Sequence, residues 1–280
     1  NEVWIWINSM NMKVKKHLRW YEIVGSVPVL IYVTFIGLPL VVLVVQVAGD
    51  KGFFLGLTGS VVTKALTLSL LTSVVAMLFV VFLGTPLAYT LARSRGKVAT
   101  FVDGLVELPI VLPPVVAGLA MLIAFGRRGV IGGWLTDLGI VLPFTTIAVV
   151  MAQIFVAAPF YVRSARLGFT LVSREYEEMS YTLGRTPWQT FWRVTLPLSW
   201  PSLVSGLSLA WARALSEFGA TIMFAGNLPG KTQTMPLAIM TELESDIDAA
   251  LAMAVVLVAV SMVILATLLF LRNLEQRNLR

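Results

Sequence analysis

Residues 65–91 read ALTLSLLTSVVAMLFVVFLGTPLAYTL, an apolar stretch that contains no charged side chain. A helix of about 20 apolar residues is long enough to cross the hydrocarbon core of a bilayer. Five further stretches meet the same criterion, so we predict an all-α membrane protein with six transmembrane helices. The six predicted spans are Ile23–Val47, Ala65–Leu91, Leu105–Phe125, Leu142–Tyr161, Leu203–Ala225 and Ala249–Leu271.

The composition excludes several functional classes. The chain is 58% hydrophobic and 13% charged, whereas soluble domains are about a quarter charged. It has no cysteine and a single histidine, His17, so it offers no thiolate or multi-histidine metal site. An intramembrane enzyme needs a nucleophile with a base or clustered metal ligands, and with His17 outside the spans few candidates for these remain. The net charge of +6 is spread over short loops, which is typical of membrane topology rather than of a nucleic-acid-binding face.

The distribution of lysine and arginine predicts the orientation. Fifteen of the 21 basic residues fall on the side of the two termini, five fall on the other side, and Arg213 lies inside a span. Positive loops stay in the cytoplasm, so we expect both termini there. The predicted domains are a cytoplasmic or interfacial segment 1–22, a transmembrane domain 23–271 and a cytoplasmic tail 272–280.

The connection at about 162–201, between the fourth and fifth spans, is predicted to be a helix, a turn and a second helix. Ser173 can cap the first helix, which is expected to run through Leu183. Gly184 suits the left-handed residue that ends a helix. Thr186, followed by Pro187 and by a glutamine at position 189, predicts a capping box that starts the second helix. Pro197 and Pro201 are expected to end it.

This helix pair is amphipathic, and two interpretations remain open for it. It can lie in the membrane interface, or it can be a docking element for a cytoplasmic partner. In the second interpretation, a short rigid helix pair can transmit force to the membrane helices, which a flexible loop cannot.

The sequence from Glu178 to Gly184, EMSYTLG, followed by Thr195-Leu-Pro197, resembles the EAA motif of permeases of ATP-binding-cassette importers. Met179 and Ser180 stand where the family has two alanines. The resemblance implies that the segment is a coupling helix seated in a groove of an ATPase subunit. The residues that it assigns to ATPase coupling are Glu178, Met179, Ser180, Leu183, Gly184, Arg185, Thr186 and Pro187.

Three further stretches resemble the molybdate and tungstate permeases within that family. They are Gly84–Arg93, Glu107–Gly118 and Ala212–Ile239, and the resemblance covers roughly residues 60 to 270. Sulfate and thiosulfate permeases share the first two stretches and part of the third, so a sulfate permease remains an alternative. A stand-alone secondary anion transporter is a weaker one, because ionisable groups are scarce in the spans.

The resemblance implies an importer subunit that moves molybdate or tungstate inward by alternating access. Its expected partners are a cytoplasmic ATPase dimer, an external oxyanion-binding protein, a second copy of the chain and the lipid bilayer, without nucleic acid. ATP and Mg²⁺ are expected on the ATPase, and no cofactor or metal in this chain. The expected location is the prokaryotic inner membrane, crossed several times.

Candidate residues for the translocation path lie in the third and fifth spans. Proline removes a helical donor and clashes with the preceding turn, so Pro109, Pro113 and Pro114 predict an irregular third span, either a simple kink or a bent helix that lines the path. Arg213 and Glu217 lie four apart, which places them on one helical face as a structural ion pair or as part of the path. The candidate path residues are Pro113, Pro114, Arg213, Ser216, Glu217 and Thr221.

The stretch from Ala225 to Thr232, AGNLPGKT, matches a loose phosphate-loop pattern. A true phosphate loop needs a preceding strand and a nucleotide-binding domain, and this stretch follows a membrane span. We therefore expect an external loop that contacts the binding protein or covers the outer gate, with candidate residues Asn227, Gly230, Lys231 and Gln233.

Overall fold

The computed structural model describes residues 26–47 and 59–278, with side chains up to Arg272. The chain divides into two units at Phe53. In the first unit, helix α1 (Ser26–Val47) is apolar and long enough to cross a bilayer. The predicted N-terminal segment 1–22, with His17, lies outside the described residues.

The second unit is helical, and its described residues contain no strand. The all-α prediction is therefore confirmed for the described ranges. The helices of the second unit are α2 (Ser60–Arg93), α3 (Lys97–Val111), α4 (Pro114–Phe125), α5 (Gly132–Asp137), α6 (Thr146–Leu171), α7 (Arg174–Thr182), α8 (Pro187–Thr190), α9 (Leu196–Leu215), α10 (Gly219–Phe224), α11 (Met235–Leu243) and α12 (Ile247–Asn278).

The predicted count of six spans is not confirmed. Within the described ranges, four helices are long and apolar enough to cross a membrane, namely α1, α2, α6 and α12. A fifth candidate is the pair α3 and α4, which bends by 116° at Leu112–Pro113 and forms a broken span or a re-entrant loop. The predicted irregularity is thus present, although Pro109 lies inside α3 and only Pro113 and Pro114 mark it.

The predicted fifth span, Leu203–Ala225, is divided between two helices. Helix α9 ends at Leu215, the chain turns through residues 216–218, and α10 follows. Serines lower the apolar character of α9. Their hydroxyls are hydrogen-bonded within the helix, because Ser199, Ser205 and Ser208 each donate to a carbonyl one turn earlier at 2.8 Å.

Two boundary predictions in the connection are wrong. Helix α6 continues to Leu171, ten residues beyond the predicted end at Tyr161. Pro197 and Pro201 do not end the second helix of the pair, because a π-helical turn at Phe191–Thr195 leads directly into α9. Pro197 lies just after the π turn and Pro201 lies inside α9, and the helical run continues through both.

The core of the second unit lies between α2, α6 and α9. Small side chains let these helices approach closely, as expected where packing rather than hydrophobic exclusion holds helices together. Hydroxyl groups bridge them: Ser164 Oγ donates to Ser202 O at 2.8 Å, and Thr85 and Tyr161 share a hydrogen bond of 2.6 Å. Buried core residues include Ala76, Met77, Val80, Ala157, Phe169, Ala210 and Ala214.

Helix α3 is attached to α6 by charge. Arg166 forms an ion pair with Asp103, and Arg163 Nε lies 3.9 Å from Glu107 Oε1. Both pairs join α3, the first helix of the bent pair, to the part of α6 that leads into the connection.

Candidate functional site

The helix pair, α7 and α8, has the local structure that the sequence predicts. Ser173 Oγ accepts from Glu175 N at 3.3 Å and caps α7, which ends one residue before the predicted Leu183. Gly184 has a φ of 77°, the left-handed conformation that glycine adopts without strain. Thr186 and Gln189 form the reciprocal capping box at the start of α8. The caps are confirmed, whereas a coupling role remains a prediction.

One face of α7 is buried and carries a carboxylate that the sequence did not single out. Glu177 Oε1 accepts from Arg93 Nη2 at the end of α2 and from Thr195 Oγ1 in the π turn, both at 2.7 Å. One turn further on, the hydroxyls of Ser180 and Thr190 share a hydrogen bond of 2.9 Å. These bonds fasten α7 to α2 and to the second helix. The only indication of this buried face in the sequence was the three-residue spacing of Glu177 and Ser180, which places both on one side of a helix.

The opposite face of the helix pair is apolar and uncovered. Met179 is 60% exposed, Leu183 80% and Trp188 69%. Glu178, Arg185, Thr186 and Pro187 are also exposed, so among the predicted coupling residues only Ser180 points inward.

Tyr181 lies on the exposed side of α7. Partial burial first, and then the charges of Tyr89 and Glu177, raise the pKa of its phenol above the ordinary value, while Arg93 lowers it. It therefore presents a neutral hydroxyl at physiological pH.

Glu217 is the second buried carboxylate, and it sits where α9 breaks. Its Oε2 lies 2.7 Å from Arg213 Nη2, and its Oε1 accepts from Ala220 N at 2.6 Å. The side chain of Glu217 is fully covered, whereas a quarter of the Arg213 side chain is exposed. Because α9 ends at Leu215, the two residues do not share a continuous helix as predicted, yet the turn still brings them together.

The break in α9 faces the break between α3 and α4. A Cβ added to Gly118 in α4 would lie 2.6 Å from Ala220 O, and one added to Gly219 would lie 2.9 Å from Pro114 Cβ. Only glycine permits this approach. We call residues 112–115 and 216–219 the broken-helix junction. Of the predicted path residues, Pro113, Pro114 and Ser216 are exposed, while Thr221 is buried and its hydroxyl has no partner within the described ranges.

The polar core of the junction includes one residue that the sequence did not suggest. Gln153, buried in α6, donates from Nε2 to Ala214 O at 3.4 Å near the end of α9. A lone glutamine inside an apolar span was the available signal, because such a group needs a partner in the membrane.

The predicted external loop is joined to α11 by hydrogen bonds from its side chains to Thr241. Asn227 Nδ2 donates to Thr241 Oγ1 at 2.9 Å, and Gln233 Nε2 approaches the same hydroxyl at 3.4 Å. Gln233 is buried, whereas Gly230, with a φ of 74°, and Lys231 are exposed. The loop connects α10 with α11, so it lacks the strand that a phosphate loop requires.

No cluster of three or more histidine, cysteine, aspartate or glutamate residues that could hold a metal occurs in the part of the chain that the structure describes. The apolar helices, the broken-helix junction and the exposed helix pair are together the features of a membrane transport subunit rather than of a binding domain or an enzyme.

Comparison with known proteins agrees with this class. Residues 81–280 match the model for binding-protein-dependent transport system inner membrane components, and the chain belongs to this family. It is an ABC importer permease, a membrane component and not an enzyme.

Two relatives and one solved structure illustrate the similarity. The molybdenum transport system permease protein ModB of Mycobacterium bovis is 44% identical over 234 residues, which covers 84% of this chain and 88% of the relative. The sulfate transport system permease protein CysT of Escherichia coli is 38% identical over 231 residues, or 81% and 83% of the two chains. A bacterial ABC transporter involved in alginate import shares the fold, with a TM-score of 0.74 and 19% identity over 95% of this chain and 99% of that one.

Proposed function

We propose that this chain forms the membrane path of an importer for molybdate or tungstate, driven by a separate ATPase. The structural observation that carries the coupling role is the helix pair. Behind its exposed apolar face, the buried Arg93–Glu177–Thr195 network connects the pair to α2 and α9. A displacement of the pair is therefore transmitted to these helices and is not lost in a flexible loop.

The exposed face suits a protein partner better than lipid. Arg185 is exposed together with Met179 and Trp188, and arginine, methionine and aromatic side chains are enriched at protein interfaces. We infer that an ATPase dimer, which binds ATP and Mg²⁺, receives this face, with Glu178, Met179, Ser180, Leu183, Gly184, Arg185, Thr186 and Pro187 at or next to the contact.

The proposed topology follows from the basic residues. Both termini and the helix pair lie in the cytoplasm, and the loop from Asn227 to Gln233 lies outside, next to an oxyanion-binding protein. Six spans are reached when the bent pair α3–α4 counts as one and α9 with α10 counts as another. Two copies form the pore, because paired ATPases suit a two-fold partner.

The broken-helix junction is the proposed gate region of the path. Broken helices survive in membranes only where protein or water covers the freed backbone groups, as at a gated path. Glu217 neutralises Arg213. An oxyanion at the junction therefore meets a partial positive charge instead of a full one. A weak site of this kind lets the anion leave, while the binding protein provides capture.

Transport in proteoliposomes tests the proposal. The chain is reconstituted with its ATPase and loaded binding protein, and uptake of radioactive molybdate is measured with ATP and with a non-hydrolysable analogue. We expect uptake only with ATP. Uptake by the chain alone, without an ATPase, would show a stand-alone secondary transporter instead.

Sulfate import is the second candidate, favoured by the similarity to the sulfate permease of Escherichia coli. The same vesicles separate the two when molybdate uptake competes with a hundredfold excess of sulfate or tungstate. Strong competition by tungstate and weak competition by sulfate supports the proposal, and the reverse order supports sulfate. The result reports on the binding protein together with the permease.

A further inference from the structure

The two breaks that meet at the broken-helix junction have different causes. Between α3 and α4 the chain turns at Pro113 and Pro114, and proline cannot donate a helical hydrogen bond. Between α9 and α10 the chain turns at residues 216–218, although positions 202–228 contain no proline. The sequence therefore fixes the first break, whereas side-chain contacts hold the second. A break that is held by contacts can be reversed.

Gln153 satisfies the end of α9. The last carbonyls of a helix lack intrahelical donors, and inside a membrane each of them needs another partner. Gln153 Nε2 donates to Ala214 O at 3.4 Å, one residue before the last residue of α9, and the turn itself supplies a second donor to this carbonyl, Glu217 N at 3.2 Å. In a continuous helix the same carbonyl would accept from the N–H of Phe218. Gln153 therefore stabilises the broken form.

Glu217 satisfies the start of α10. Its Oε1 accepts from Ala220 N at 2.6 Å. In a continuous helix that amide would donate to the carbonyl of Ser216 instead. Both ends of the break are thus satisfied by buried polar side chains that stand in for helical hydrogen bonds.

The broken form leaves the hydroxyl of Thr221 unsatisfied. Thr221 is fully buried in α10, and its Oγ1 has no partner within the described ranges. In an uninterrupted helix a threonine hydroxyl can donate to the carbonyl four residues earlier, as Thr72 does to Leu68 O at 2.8 Å in α2. The equivalent acceptor for Thr221 is the carbonyl of Glu217, which lies in the turn. A continuous helix would bring that carbonyl within reach and pair the hydroxyl.

We propose that the break between α9 and α10 is a switch, in which Gln153 holds the broken form and a continuous helix replaces it in a second state. Each form satisfies polar groups that the other leaves without partners, and such an element changes between two discrete states. Ala220 packs directly on Gly118 of α4, so straightening the helix separates α10 from α4 and opens the junction. Gln153 is a positioning residue. The link to opening rests on the proposed transport function, whereas the two forms of the helix do not.

Hydrogen exchange measured by mass spectrometry on the full-length chain in detergent, without an ATPase, tests the switch. In the broken form the first four amides of α10, at residues 218–221, have no helical partner, because the first backbone bond runs from Ile222 N to Phe218 O. We expect Gln153→Leu to slow exchange at residues 218–221 about tenfold, since the continuous form becomes populated. Ser164→Ala, the matched control, also removes a hydrogen bond from α6 to α9 and should not slow it. Unchanged or faster exchange in Gln153→Leu would show a merely structural contact and would overturn the proposal.

Thr221→Val tests the switch even if Gln153→Leu fails to fold. It removes a buried hydroxyl that has no partner in the broken form, so the thermal unfolding temperature of the chain should rise. Thr72→Val removes a buried hydroxyl that is bonded to Leu68 O, so it should lower the unfolding temperature. A lower unfolding temperature in Thr221→Val would overturn the proposal, because the hydroxyl would then already have a partner.

The same exchange measurement on the chain assembled with its ATPase tests the link to opening. We expect trapped ATP to slow exchange at residues 218–221 about tenfold, as Gln153→Leu does without nucleotide. Protection of α7 and α8 by the ATPase without any change at residues 218–221 would overturn the link and leave the proposed function standing. Unprotected α7 and α8 would refute the proposed function alone, because the two variants above test the switch without an ATPase.

Discussion

Replacing Glu177 with alanine is expected to loosen the helix pair from the end of α2. In the native chain Glu177 Oε1 accepts from Arg93 Nη2 and Thr195 Oγ1, both at 2.7 Å, and the two charged side chains are only 9% and 16% exposed. Removing one partner of a buried ion pair costs about 3–5 kcal/mol, because a buried charge is left uncompensated. Arg93 retains some exposure and a bond to Val172 O at 3.3 Å, so we expect the lower value, about 3 kcal/mol.

The absence of cysteine makes local opening measurable. A single cysteine replaces Thr190, which is buried between the two helices, and its rate of maleimide labelling reports how often the pair opens. A loss of about 3 kcal/mol raises the labelling rate roughly a hundredfold in the Glu177→Ala background. Glu177→Gln, which keeps an acceptor for Thr195, should fall between the native and alanine rates.

The adjacent Glu178 supplies a matched control. Its side chain is exposed and makes no ion pair within the described residues, so Glu178→Ala should change the labelling rate by no more than about twofold. If Glu177→Ala labels at the native rate, or if Glu178→Ala labels as fast, the buried network does not hold the pair and our reasoning fails.

Three further perturbations test the remaining features. Gly184→Val places a β-branched residue at a φ of 77° and should abolish ATP-driven uptake, while Gly104→Val, at an open helical position, should not; equal uptake would contradict the coupling role. Gly118→Ala should lower the thermal unfolding temperature in detergent, since its Cβ would meet Ala220 O at 2.6 Å, and Gly104→Ala is again the control; equal melting would refute the close junction. Arg213→Leu alone should destabilise the chain by about 3 kcal/mol, and adding Glu217→Leu should restore most of that loss in the same melting assay. Assembly without molybdate uptake in the double variant would assign the pair to the path rather than to structure alone.

Local features of the connection could be predicted because they depend on a few neighbouring residues. The caps at Ser173 and Thr186 and the left-handed Gly184 follow from hydrogen-bonding and steric rules within one turn of chain. The rule that proline ends a helix failed at Pro197 and Pro201 for a tertiary reason: α9 packs against α2 and α6, and that packing outweighs the local penalty.

The candidate site could be predicted only in part. The motif around Glu178 predicted the position of the helix pair, but the carboxylate that anchors it is Glu177, and its partner Arg93 lies 84 positions earlier in the chain. Likewise, the four-residue spacing of Arg213 and Glu217 predicted their contact but not the end of α9 between them. The turn there depends on α4, which approaches through Gly118.

The sequence by itself determined that the chain is helical, apolar enough for a bilayer and related to importer permeases, because hydropathy, caps and motifs are properties of contiguous residues. Only the tertiary structure decided which face of each helix is covered, which charges meet and where a span breaks. Those outcomes depend on side chains distant in sequence that must share one low-dielectric interior, where an unpaired charge or backbone group is too costly to remain.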